Sequence, residues 1–243
     1  MIPKIIHYCW LSDDPLPLSV IRCMESWKRL LPSYEFKKWD LSLFPLEKSE
    51  WVRQAYEAKK YAFAADYIRL YALFTEGGVY LDCDVEVVKS FDNLLVLPYF
   101  ICKENSPQGV EAATIGAEKG CPWIGKCLDY YENRSFVGET GKQDTRVLPS
   151  IISQTLNKYY EVKLISGIDD FDPNSQFVYI LPSDFFSPKS YVTKRIKITG
   201  NTYSIHHYAG TWQPRWKKML LMIWVPFSAL FPSFSQKIKY LFR

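Results

Sequence analysis

Histidine is scarce in this chain, charge is nearly balanced, and no cysteine pattern marks a metal site. Only three of the 243 residues are histidine. None of the six cysteines (Cys9, Cys23, Cys83, Cys102, Cys121, Cys127) belongs to a Cys-x-x-Cys pair or a Cys/His cluster with zinc-ligand spacing, which excludes a zinc finger or ribbon. A formal net charge of +4 is too small to argue for nucleic acid as a partner. Repeats and low-complexity stretches are missing, so solenoids and flexible linkers are excluded. No run reaches the roughly 20 apolar residues of a spanning helix; the uncharged stretch Met219–Phe234 is interrupted by Pro226 and Pro232. The first residues, Met1–His7, lack a basic region followed by an apolar run. No export signal is therefore expected, and the thiols are expected to stay reduced in a cytosolic setting.

Aromatic rings are abundant instead. They make up 16% of the chain, and 48% of it is apolar, which excludes a disordered or fibrous protein. Such a chain can bury a large core and still line a pocket with flat surfaces, which sugars and nucleobases favour. Charge is unevenly placed: residues 214–243 hold six basic residues and no acidic one, leaving residues 1–213 with a net −2. This divides the chain into a main body, 1–213, and a basic, apolar tail, 214–243. The flanking Lys and Arg with interior Trp224 suit a segment lying in a membrane's headgroup layer, the alternative being a C-terminal helix packed on the domain or in a dimer.

Residues 3–10 read as a buried strand, 18–31 as a helix stopped by Pro32, and 34–39 as a second strand. Strand, helix, strand predicts a βαβ unit and a largely parallel sheet. Helical spacing runs from Glu50 to Glu76 with room for one break, and Gly77-Gly78 supplies the positive-φ stop. Val79–Val88 alternates strictly, with Tyr80, Asp82, Asp84 and Glu86 on one side. That alternation predicts one strand with a face turned away from the core. Further helices are expected over 122–133 and 146–160, and strands over 176–181, 194–199 and 202–208.

Asp82-Cys83-Asp84 carries the chemistry. Two carboxylates on one side of a strand repel unless a cation or proton sits between them. Mg²⁺ or Mn²⁺ is held by one or two carboxylates while substrate phosphate fills other positions. Asp66 and Arg69, three apart on the preceding helix, share a face in an otherwise apolar run. A carboxylate beside a guanidinium suits the hydroxyls of a polyol such as a sugar. His206 and His207 are adjacent, so on a strand at most one joins a given site, where an imidazole would complete an O/N shell suited to Mn²⁺.

The segments Ile5–Trp10, Lys60–Arg69, Gly77–Asp84 and Ile205–Trp212 together resemble family 32 of the glycosyltransferases, the DXD sugar-binding group, over about residues 1–213. They are similar, more distantly, to the sugar-transferring domains of large clostridial toxins. The resemblance implies an α/β fold of the GT-A type, a Rossmann-like mixed sheet flanked by helices that binds a nucleotide-sugar with a divalent metal. It implies that Asp84 holds the metal directly with His206 or His207, that Asp82 holds the metal or the ribose side of the nucleotide-sugar, and that Asp66 and Arg69 hold the donor sugar. Trp10 would stack on the base, Tyr80 would flank the donor, and Trp212 would close over the diphosphate. The expected activity is metal-dependent, retaining hexosyl transfer from a nucleotide-sugar, a UDP-sugar by preference, to a glycan or lipid-linked glycan. The expected setting is bacterial surface-polysaccharide assembly at the inner face of the cell membrane.

Two other readings exist. The hydrophobic strand before Asp82 and Asp84 also resembles aspartate-nucleophile phosphatases, with Asp169-Asp170 as a later acidic pair. A non-catalytic nucleotide-sugar-binding protein is the other, although all four charged site residues are present.

Overall fold

A computed structural model describes residues 1–105, 109–191 and 193–210. The chain opens with β1 (Ile5–Cys9), α1 (Leu18–Leu30) and β2 (Glu35–Trp39), the last two elements returning the chain parallel to β1. Helix α1 begins after Pro17, stops one residue short of Pro32 and carries Lys28 and Arg29 in its last turn, where cations complement the helix dipole.

The long helical stretch is two helices, α2 (Glu50–Glu57) and α3 (Tyr61–Glu76). The Ser49 hydroxyl caps α2 by accepting from the Val52 amide at 3.4 Å. The break falls at Lys59, in the left-handed region at φ 57°. Helix α3 ends at Gly77 (φ 72°), followed by Gly78 (φ 112°). A Cβ on Gly78 would lie 2.8 Å from the Ile5 carbonyl oxygen and 2.9 Å from His7 Nε2. Glycine therefore lets β3 (Gly78–Leu81) close against β1, with which it pairs in parallel through Ile6 and Val79.

His7 fastens this junction. Its ring is buried, Trp39 Nε1 donates to Nδ1 at 3.0 Å, and Nε2 lies 2.7 Å from the Gly77 carbonyl oxygen. An indole N–H can only donate, so Nδ1 accepts and Nε2–H donates. Burial lowers the imidazole pKa and keeps it neutral.

The main sheet runs β2-β1-β3-β6-β5, completed by β6 (Thr114–Ala117), antiparallel to β3, and β5 (Tyr99–Phe100), antiparallel to β6. This is the expected mixed, mostly parallel α/β sheet. One core, with Trp51, Ile68, Leu73 and Ile115, lies on the α3 side together with α4 (Pro122–Leu128) and α5 (Leu148–Tyr159). The other, with Ile6, Trp27, Val79 and Leu81, lies on the α1 side. A two-stranded sheet pairs β4 (Val85–Val87) with β9 (Ser204–His206), and a second pairs β7 (Val162–Leu164) with β8 (Val178–Ile180).

Three expectations are corrected. The strand over 79–88 is two strands, β3 and β4, parted by a turn at Asp82–Asp84 that the Val85 amide closes onto the Asp82 carbonyl at 2.9 Å. Alternation persists across the turn because β4 leaves the main sheet to pair with β9, where Val85 and Val87 are buried in turn. No residue of β3 faces solvent, since both faces of the sheet are covered. The strand over 194–199 does not form; Lys189 and Ile196 make an isolated bridge in a hairpin-like loop. The tail 214–243 and Trp212 lie outside the described residues.

Candidate metal and sugar site

The site forms where β1 and β3 end at their carboxyl edge, the place where open α/β sheets bind ligands. Asp82 follows β3 directly, its amide donating to the Ala113 carbonyl at 2.9 Å. Its Oδ1 accepts from Arg69 Nη2 at 2.8 Å and from the Tyr80 hydroxyl at 3.2 Å. Burial raises the Asp82 carboxyl above the usual range; Arg69 opposes the shift and Asp84 adds to it.

Asp84 sits at the other end of the turn. Its Oδ2 accepts from the Ala209 amide at 2.7 Å, and its Oδ1 lies 3.6 Å from His206 Nε2. Asp82, Asp84 and His206 each offer one ligand atom, all within 4.8 Å of one another, and all three are half-buried. Two carboxylate oxygens and one imidazole nitrogen at that spacing fit a divalent cation with positions left for phosphate oxygen.

Behind His206 stands Glu111, which nothing in the sequence marks. Its side chain is buried, its Oε1 lies 3.2 Å from His206 Nδ1, and the same oxygen accepts from the Ala113 amide at 2.8 Å. Burial works against the Glu111 charge, yet His206, the Ala113 amide and the Ser187 hydroxyl outweigh it and hold the carboxyl below its ordinary range. Burial likewise disfavours a charged His206, but Glu111 and Asp84 prevail and raise it to about 9.

His207 does not join the cluster. Neighbours on a strand face opposite ways, and His207 Nε2 instead lies 2.9 Å from Glu86 Oε2. Arg69 and Tyr80 also stand apart from their expected places beside the donor. Arg69 is buried, donating to the Ala112 carbonyl through Nη1 and to Asp82 through Nη2, with its guanidinium 4.4 Å above the Tyr80 ring. Tyr80 is 1% exposed. Both act on Asp82 from within the protein rather than reaching solvent.

Asp66 lies 3.4 Å from Arg69 Nη2, with its side chain 15% exposed. Burial raises it to about 6, although Arg69 and a hydrogen bond from the Leu148 backbone at the start of α5 pull the other way. Trp10, just past β1, is half-buried and anchored by its Nε1 donating to the Asp14 carbonyl at 3.0 Å. The phosphatase alternative loses its acidic pair: Asp169 and Asp170 are exposed on a short turn, and Asp170 spends an oxygen on the Ser166 amide at 2.9 Å.

This is an α/β domain with an acidic cluster at the strand ends, and its fold is similar to that of GT-A glycosyltransferase structures. Residues 17–100 match the family described as glycosyltransferase sugar-binding region containing DXD motif. It is 33% identical over 127 residues to inositol phosphoceramide mannosyltransferase 3 of Schizosaccharomyces pombe, covering 51% of this chain and 35% of the relative. To mannosyl phosphorylinositol ceramide synthase SUR1 of Saccharomyces cerevisiae it is 32% identical over 139 residues, covering 53% and 34%. The chain thus spans about a third of the length of these relatives. Its fold is similar to that of PaToxG glycosyltransferase, with a TM-score of 0.52 and 22% identity over 65% of this chain and 68% of that one.

Proposed function

We propose that the protein is a metal-dependent, retaining glycosyltransferase that moves a hexose from a nucleotide-sugar to a hydroxyl of a glycan or lipid-linked acceptor. The observation that carries this is the Asp82–Asp84–His206 cluster at the strand ends, with the half-buried Asp66 linked to it through Arg69. Mn²⁺ or Mg²⁺ held there supplies positive charge against a departing nucleoside diphosphate. The chain does the rest. Arg69 and Tyr80 fix Asp82, Glu111 orients His206, Asp66 accepts from sugar hydroxyls, and Trp10 offers a ring face to the base. Trp212 is assigned to the diphosphate side. An acceptor hydroxyl attacks from the face the diphosphate leaves, and the leaving phosphate takes its proton, so the anomeric configuration is kept.

The resemblance to family 32 favours a uridine nucleotide, and the mannosyltransferase relatives make guanosine the second base to test. Those relatives are named for a ceramide-lipid product, which supports a lipid-borne acceptor. We place the protein at the cytoplasmic face of a membrane, held there by 214–243, in surface-polysaccharide assembly. Among the described residues no helix is long and apolar enough to cross a membrane.

The test is a thermal-shift screen of UDP- and GDP-sugars with and without Mn²⁺, followed by an assay of nucleotide release. A metal-dependent shift that disappears in Asp84→Ala is expected. Phosphomonoester cleavage without nucleotide release would overturn the reading.

A further inference from the structure

We propose that the hairpin formed by residues 188–191 and 193–198 docks the protein on an anionic lipid surface and turns the cation cluster towards it. The arms are held by the Ser190 amide donating to the Arg195 carbonyl and the Lys194 amide to the Ser190 carbonyl, both at 2.9 Å, with the Lys197 amide reaching the Pro188 carbonyl at 3.1 Å. Four basic residues (Lys189, Lys194, Arg195, Lys197) and no acidic one lie in this stretch. Among the described residues, no carboxylate pairs with Lys194, Arg195 or Lys197. Interleaved with them, Tyr191, Ile196 and Ile198 are 37%, 44% and 60% exposed. Unpaired cations alternating with bare branched and aromatic side chains fit the phosphate layer and the acyl boundary beneath it at once.

The ring is ill suited to stacking on a nucleobase. Tyr191 has Lys194 Nζ 4.4 Å above its ring and meets Tyr208 edge-on at 5.3 Å. Tyr208 in turn lies 4.0 Å, ring to ring, from the cluster's His206. The hairpin is thus one side chain removed from the cluster. From Tyr208 the chain runs on towards 214–243, the other stretch that is basic, apolar and free of acidic residues. The hairpin and the cluster share one corner of the fold, and a lipid-borne acceptor would arrive there. Only that last point rests on the proposed transfer; the docking does not.

The test is co-sedimentation of the full chain with vesicles of phosphatidylcholine alone and of equimolar phosphatidylcholine and phosphatidylglycerol. Binding to the anionic vesicles only, falling with added salt, is expected. Each neutralised cation should weaken partition about fivefold, so combining Lys194→Gln, Arg195→Gln and Lys197→Gln should cost roughly a hundredfold. Ile196→Ser with Ile198→Ser should weaken what binding survives in salt. Unchanged partition of the triple variant overturns the proposal, as does equal binding to neutral vesicles, or capture of polyuridylate with indifference to vesicles. A Mn²⁺-dependent nucleotide shift measured on the same samples separates the two readings. Its loss with vesicle binding intact sinks the transfer alone, and its survival in a triple variant that no longer sediments shows that the variant has folded.

Discussion

Glu111 grips one nitrogen of His206 at 3.2 Å while the other faces Asp84 at 3.6 Å. A carboxylate behind a ligating imidazole sets its ring orientation and strengthens it as a ligand. Glu111→Gln and Glu111→Ala should each weaken Mn²⁺ binding by about 10- to 100-fold, the range seen for such partners. Calorimetric titration of the metal reads this directly. A fall in melting temperature with unchanged Mn²⁺ affinity would show Glu111 to be structural only.

Arg69 is the buried positive charge on which Asp82 and Asp66 lean, at 2.8 and 3.4 Å. Arg69→Met leaves two desolvated carboxylates without their partner and should cost about 3 kcal/mol in urea unfolding. Arg69→Lys restores charge but not the fork that spans Asp82 and the Ala112 carbonyl, so stability should recover further than nucleotide release does.

Asp66 gives a pH signature. Its folded pKa, raised by burial to about 6, exceeds the unfolded value, so the folded state holds the proton more tightly. The stability linked to this proton is complete below the unfolded pKa and is lost as pH rises to about 6. Asp66→Asn should remove that slope, stabilise the protein by about 3 kcal/mol near neutral pH and abolish transfer. Chemical denaturation across that window would expose the slope, and an identical profile for the variant would refute the assignment.

Gly78 tests the fold that carries the site. At φ 112° with a carbonyl oxygen 2.8 Å from where a Cβ would sit, Gly78→Ala should cost about 3 kcal/mol by strain and overpacking. A neutral result in urea unfolding would mean that β1 and β3 can part without penalty.

Much of this was legible from residue order. The Gly77-Gly78 stop, the βαβ opening, and the shared face of Asp66 and Arg69 follow from local spacing. The adjacency of His206 and His207 implied that one would leave the site, though not which. What stayed hidden was long-range or two-sided. Thr114–Ala117 has only four residues and is buried on both faces, so it shows no period. Glu111 looks like any surface acid until β6 carries it behind a strand more than ninety positions away. The Asp82–Asp84 turn hides inside an alternation that both flanking strands share.

Asp84 also receives the Ala209 amide on its carboxylate and the His207 amide on its carbonyl. The side chain that would face a cation is therefore the latch for the stretch leading out of β9. A cation drawing electron density from that carboxylate would weaken its bond to the Ala209 amide, so occupancy of the centre and the placement of residues 207–210 share a single mechanical element.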